Sequence, residues 1–347
     1  RDSHTDRAMR APSTARRAMC MARLHSTARP SIAGNDTAHT RRAVSFQGSS
    51  PLDPLPGFPN LRRLREGSPI MRASCPTKCP PEERENIRSK LGVRSLVDLR
   101  TADERHGDPL PPLLWDSVVR IRQGGKLKLN EGGTLTYPPN EAAVRSGEEA
   151  EEGVVLYNVP LYTTRRIMRW VLLNAPLWEK PQLLSSLPTV IGFQQPSPDT
   201  LQLYNSSLSR HGLQGHNQFL LDTCGEQVRA VLELMCDRAN LPMVFFCSLG
   251  KDRTGVVSML ALHCGGASRE EIREDFKRSS VGLEGVRAEV MASLEKRGLD
   301  PEEFISARTE LVDKLFGHLD AKYGGPDAYL DRIGFGPEWR ERLREVL

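Results

Sequence analysis

The chain has 347 residues, room for one large domain or two small ones, with 38% hydrophobic and 6% aromatic residues and a formal net charge of +4. That lowish apolar content points to a packed core diluted by disordered segments, and no apolar run approaches the roughly 20 residues a membrane span needs. The positive excess is local: Arg1 to Phe46 holds nine Arg, no Lys and three Asp, so the remainder carries −2, and with Phe46 as the sole aromatic of the basic stretch, nucleic-acid binding is not expected.

Residues 1–56 lack periodicity and are rich in Arg, Ala, Ser and Pro, so they are expected to form a disordered basic leader outside the fold. The composition fits an organellar transit peptide or a plain basic tail. Chloroplast, mitochondrial and cytoplasmic placements all stay open. Residues 57–347 are expected to form the folded domain. Pro80 to Leu91 reads as a helix opened by Pro80-Pro81 and ended by Gly92. Val93 to Leu99 then alternates like a strand. At its end stands Asp98, which reads as a structural ion pair with Arg100 or as a group lining a ligand crevice. Residues 123–153 are Gly-, Pro- and Glu-rich and predict an exposed, mobile insertion.

Val154 to Val159 predicts another strand. Residues 163–215 are helix-rich and punctuated by prolines, a stretch that suits either a lid over a site or additional helical packing. Leu208 to Leu220 holds His211 and His216 but no carboxylate, with Asp199 and Asp222 on either side. From Asn217 to Met235 apolar residues recur at near-helical spacing, which predicts one helix packed on the sheet. Ser268-Arg-Glu-Glu271 is a capping box that opens a further helix. The seven cysteines are scattered. Cys75 and Cys79 form a C-x3-C without a matching second pair, so neither zinc nor any other metal is expected, and two unpaired thiols are favoured over a redox pair.

The segment with the most chemical content is Val244-Phe-Phe-Cys-Ser-Leu-Gly-Lys-Asp-Arg-Thr-Gly255. Met243 to Phe246 read as a buried strand, and Val256 to Leu262 as an apolar helix beginning near Arg253. Between them lie a sulfur nucleophile, Cys247, a loop of backbone N–H donors, and a guanidinium. A free thiol with a pKa of about 8.5 is mostly protonated at neutral pH and needs help to react. A nest of N–H groups from Ser248, Leu249, Gly250 and Lys251, a helix N-terminus, and the charges of Lys251 and Arg253 would supply it and then hold a phosphate's oxygens. Arg253 can grip two oxygens at once. Thr254 would set a hydroxyl beside the sulfur. Lys251 would suit a substrate with several phosphates, or add general steering for anions. Asp252 reads as a proton donor or as a structural partner of Arg253. The cations beside it favour its charged form, an acid must hold a proton, and a bound dianion pushes back toward the neutral form.

This segment resembles the phosphate-binding loop of the cysteine-dependent tyrosine and dual-specificity phosphatases, in the branch related to the secreted mycobacterial tyrosine/lipid phosphatase. Asn60-Leu-Arg-Arg63, Met71-Arg-Ala-Ser74 and Leu91 to Glu104 are similar to that branch's N-terminal blocks, and Tyr323 to Gly334 to its C-terminal helix pair. The resemblance implies an α/β fold with a central, mostly parallel sheet flanked by helices, a phosphocysteine intermediate on Cys247 and no cofactor. It also implies Asp252 as the acid, and a phosphorylated protein or phosphoinositide as substrate. One position departs from the pattern. Phe246 stands where the family has a His whose imidazole orders the loop, so either lower activity or a phosphate-binding relative without turnover is expected. Sulfur transfer by a persulfidated cysteine is a third use of such a loop, against which the Gly-Lys-Asp-Arg-Thr-Gly core argues.

Overall fold

The computed structural model describes residues 58–111 (apart from 78, 82, 84–86 and 88), 114–115 and 153–347, with the backbone of short strands between 117 and 136. The leader at 1–56 and most of the 123–153 insertion lie outside the described residues. So does part of the helix predicted at Pro80 to Leu91, of which Pro81, Glu83, Ile87 and Ser89 are helical.

Eight strands are described: β1 (Arg62–Arg63), β2 (Ile70–Ser74), β3 (Ser95–Asp98), β4 (Ser117–Arg120), β5 (Lys128–Leu129), β6 (Leu135–Thr136), β7 (Val155–Asn158) and β8 (Met243–Cys247). Six form one sheet in the order β1-β2-β8-β3-β7-β4, and β5 and β6 pair separately as a two-stranded ribbon. Only β1 runs antiparallel in the large sheet. The others are parallel, as strands covered by helices on both faces must be. The expected α/β architecture is therefore present. β8 is central, and every one of its residues is buried. Its alternation divides the two cores. Met243, Phe245 and Cys247 join the larger apolar cluster. Val244 and Phe246 join the smaller one with Phe58, Met71 and Leu96.

Register brings the carboxyl ends of three strands together, with Ser74 opposite Cys247 and Asp98 opposite Phe246. That edge is where open α/β sheets carry their ligands. The helix Asp252–Cys264 follows β8 after a short loop and is buried almost all round, as its apolar stretch from Val256 to Leu262, broken only by Ser258, requires. The helix Arg269–Gly282 begins at the predicted capping box, with Ser268 and Glu271 bonded reciprocally. Tyr329, on the helix Pro326–Arg332, donates to the Leu221 carbonyl at 2.9 Å and draws the C-terminal helices onto the core.

Between β7 and β8 the chain makes the predicted helical excursion: Thr164–Asn174, Lys180–Leu184, Leu187–Ile191 and the long helix Pro198–Thr223. The long helix is kinked at Gly212, whose φ of 63° and ψ of −173° break the ladder, and Glu303 accepts the freed Leu213 N–H at 3.1 Å. The single helix predicted from Asn217 to Met235 is instead two. The chain turns at Cys224, and Gly225–Met235 forms a separate element. The apolar spacing runs through that corner because both helices bury their faces in the same core.

β2 carries a fully buried Arg72. Asp275, on the helix Arg269–Gly282, accepts from Arg72 and, at 2.8 Å, from Arg62 Nε. Removing one partner of such a pair strands a charge in the core, which typically costs about 3–5 kcal/mol. Asp275→Ala is therefore expected to lower unfolding stability by about 3 kcal/mol or more, read from urea denaturation. An unchanged midpoint and slope would contradict the assignment.

Candidate active site

Cys247 ends β8, and the next four residues form a loop pressed against β2. Gly250 adopts φ 63°, and a Cβ there would stand 2.2 Å from the Ala73 carbonyl oxygen. Glycine is thus required by space as well as by conformation. The loop's backbone is tied down through its carbonyls. Ser248 O accepts from Cys75 N at 3.2 Å. Leu249 O and Gly250 O both accept from Asn60 Nδ2 at 3.1 Å. Gly250 O also accepts from a terminal nitrogen of Arg72 at 2.7 Å. In a planar peptide C=O and N–H point opposite ways, so tying the carbonyls toward β2 turns the amides to the other side. The helix that follows has no side-chain cap, which leaves its first N–H groups and positive end open to an anion.

Arg253 lies on the first turn of that helix and is gripped by Glu104, 149 residues earlier. Its two terminal nitrogens donate to Glu104 Oε2 at 2.5 Å and Oε1 at 2.7 Å. Ser248 Oγ donates to Glu104 Oε1 at 2.6 Å and accepts from Arg253 at 3.1 Å. Glu104 is placed by the helix Ala102–Gly107, where it is the third residue of a capping box with Thr101. Burial alone would raise its pKa. The charge of Arg253 and the bonds from Arg253 and Ser248 outweigh that and hold the carboxyl well below the usual carboxylate range. Arg253 is correspondingly held above its ordinary value, burial opposing and Glu104 prevailing. The Tyr162 ring lies 5.5 Å from the guanidinium carbon, and its phenol is pushed up to about 12, chiefly by burial.

The other candidates are distributed unequally. Lys251 is fully buried and its ammonium donates to Asp252 Oδ1 at 2.7 Å. The expected pairing of Asp252 with Arg253 is not what forms, because Glu104 takes Arg253 and Lys251 takes Asp252. The ammonium is likewise not at the surface as a cation for distal phosphates would be. Thr254 Oγ1 is buried without a hydrogen-bond partner. Asp98 is wholly buried in a forked ion pair with Arg100, the structural alternative. Phe246 points away from the Cys247 face, with the Arg100 guanidinium 5.9 Å from its ring centre. Cys75 and Cys79 are both free thiols. Among the described residues no group of three or more His, Cys, Asp or Glu is placed to hold a metal ion.

Two further residues belong to this neighbourhood. Glu104 stood inside a quoted block, and the Thr101-x-x-Glu104 spacing signalled a cap, but no local pattern announced its bond to Arg253. His216, on the long helix beyond the kink, is buried with Nδ1 unpartnered and packs edge-on to Tyr162 at 6.2 Å. Burial lowers its pKa to about 4, against the attraction of Asp252. Cys247 and Arg253 are themselves only 3% and 7% exposed. A separate cavity of about 550 Å³, lined by residues such as Arg166, Asp222, Arg229 and Tyr323, includes none of the loop.

A model of the tyrosine phosphatase family matches residues 57–347. The chain is 27% identical over 166 residues to a triple specificity protein phosphatase, PtpB, of Mycobacterium tuberculosis, covering 44% of this chain and 59% of that protein. It is also 27% identical over 138 residues to a tyrosine-protein phosphatase of Nostoc commune, covering 38% of this chain and 45% of the relative. The chain thus spans about half the length of these curated relatives.

The depressed Glu104 carboxyl gives a pH signature. The unfolded chain takes up this proton near the ordinary value of 4.5 while the folded chain still resists it. The stabilisation is therefore complete above that pH and is lost as pH falls toward the folded value. Glu104→Gln is expected to be less stable than the wild type at pH 7, with the gap closing progressively below about pH 4.5 in denaturation curves. A gap that stays constant with pH would refute the ion pair.

Proposed function

The chain belongs to the tyrosine phosphatase family, and we propose that it hydrolyses phosphomonoesters through a phosphocysteine on Cys247. The observation that carries this is the tethered loop: its carbonyls bond to Cys75, Asn60 and Arg72, on the side of β2, in the stretch that joins Cys247 to Arg253. In the reaction, the Cys247 sulfur attacks phosphorus and the bond to the leaving oxygen breaks. The amides of Ser248, Leu249, Gly250 and Lys251, with Arg253, carry the charge on the non-bridging oxygens. Asp252 gives its proton to the leaving oxygen. It then takes one from the water that displaces the thiolate. Its side chain is 15% exposed and tethered by Lys251, which supports a role at the rim rather than in the core. Glu104 is a positioning residue: with Ser248 it fixes the plane of Arg253 and leaves Nε–H and one outer N–H for phosphate.

We read the excursion at residues 163–215 as a cover. The ring of Tyr162, just before it, packs on Arg253, and His216, just after it, packs edge-on to Tyr162. With Cys247 3% exposed, substrate entry requires this cover to shift. The substrate class is phosphotyrosine-bearing protein together with phosphoinositide, though Lys251, buried and paired with Asp252, lends the latter no cation for distal phosphates. One alternative keeps a specific observation: Phe246 offers no hydrogen bond to the loop, which favours phosphate recognition without turnover.

These readings separate in one series of assays on aryl phosphate, phosphotyrosine peptide, phosphoserine peptide and phosphoinositide. Cys247→Ser is expected to abolish hydrolysis while retaining phosphate binding. Asp252→Asn is expected to lose about 10²–10⁴-fold in rate on alkyl leaving groups and far less on nitrophenyl phosphate. Saturable binding with no release of phosphate by the wild type would establish the recognition alternative. Equal losses on both leaving groups would remove Asp252 as the acid.

A further inference from the structure

Eight large hydrophobic side chains stand exposed among the described residues, and all but Val281 fall between Leu173 and Phe193. Leu173, Leu177, Trp178, Leu184, Ile191 and Phe193 are among them, with Trp178 72% and Phe193 84% exposed. The same short helices bury Val171, Ala175, Leu183 and Val190 in the main core, so the stretch is folded and apolar on both faces. A concentration of exposed apolar side chains on that scale marks an interaction surface.

Its charge says what it meets. From Tyr162 to Pro198 there are four cations, Arg165, Arg166, Arg169 and Lys180, and a single carboxylate, Glu179. Glu179 is buried, bonded by Ser207 and Arg210, and contributes no negative charge to the surface. Arg210 also lies 5.5 Å from the Trp178 ring. At the other end Arg165 approaches Gly192 and Gln195, beside Ile191 and Phe193. Arg165, Arg169 and Lys180 form no ion pair among the described residues. Aromatic and leucine side chains flanked by arginines are the composition of a segment that lies in the headgroup layer of an acidic bilayer. A second copy meeting this face across a two-fold axis would set cations against cations.

We propose that the surface between Leu173 and Phe193 docks on anionic phospholipid bilayers and presents the site to phosphomonoesters carried there. The docking stands on this surface alone, and its consequence for substrate choice rests on the phosphatase reading given under Proposed function.

The test uses full-length Cys247→Ser protein, so that binding is read without turnover, and vesicles of phosphatidylcholine with or without phosphatidylserine. The expected result is sedimentation with the serine-containing vesicles about tenfold stronger than with neutral ones, weakened by salt. Trp178→Glu with Phe193→Glu should reduce it by about tenfold or more, while the far-ultraviolet circular dichroism and urea unfolding midpoint stay those of the parent chain. Binding that survives the double substitution would assign it to the basic leader and overturn the proposal. So would equal binding to both vesicles, no binding, or a dimer by light scattering that the double substitution dissolves. Vesicle binding in a chain with no phosphatase activity would instead retain the docking and remove only its link to substrate.

Discussion

A buried guanidinium is tolerated only where its charge is answered, and Arg72 on β2 is such a case, with both terminal nitrogens bonded and only Nε left without an acceptor. It is answered on one side by Asp275 of the helix Arg269–Gly282 and on the other by the Gly250 carbonyl. β2 and two parts of the chain some two hundred residues later are thereby held to one geometry. The loop cannot turn its carbonyls inward without stranding Arg72, and Arg72 cannot leave without stranding Asp275. Asn60 reinforces the arrangement, holding the Gly250 carbonyl a second time and the Leu249 carbonyl beside it, from a left-handed backbone conformation with φ 60°. The direction of the loop amides thus follows from the charge balance of a core that contains none of the reacting groups.

The same logic governs the other guanidinium. Arg253 is almost enclosed, and in the absence of an anion Glu104 supplies its counter-charge. Glu104 also accepts the backbone N–H of Thr101, so its carboxylate is held by its own helix start as well as by the cation. On the phosphatase reading, a phosphate dianion at the loop would meet an arginine already oriented, at the cost of placing its charge near a carboxylate. The amides and the helix terminus must offset that repulsion. Tyr162 and His216 complete the enclosure with aromatic surfaces rather than charges, which lowers the local dielectric and strengthens each remaining polar contact.

Much of this was legible in the sequence where the information is local. The strand, loop and helix around Cys247 follow from an apolar run, permissive glycines and an apolar helical stretch in immediate succession, and the structure places them within a residue or so. The capping box at Ser268 was readable for the same reason. What was hidden depends on contacts between distant residues. Asp252 was expected either as an acid or as the partner of Arg253, and only the fold shows that Glu104 and Lys251 divide the pairing. Arg72 and Asn60 stood in recognised blocks without a role, because the carbonyls they bind are 178 and 190 residues away. The helix expected from Asn217 to Met235 is broken at Cys224, since apolar spacing records which residues face the core and not whether the backbone turns between them.

The central claim is that the amides between Cys247 and Arg253 converge on one tetrahedral oxyanion at the sulfur. A crystal structure of the protein grown with vanadate tests it most directly. The account predicts vanadium bonded to Cys247 Sγ, its equatorial oxygens on the amides of Ser248 to Arg253 and on the Arg253 guanidinium, with Glu104 still paired to that arginine. Vanadate bound elsewhere, for instance among the arginines of the cavity near Asp222, with Cys247 unmodified, would contradict it.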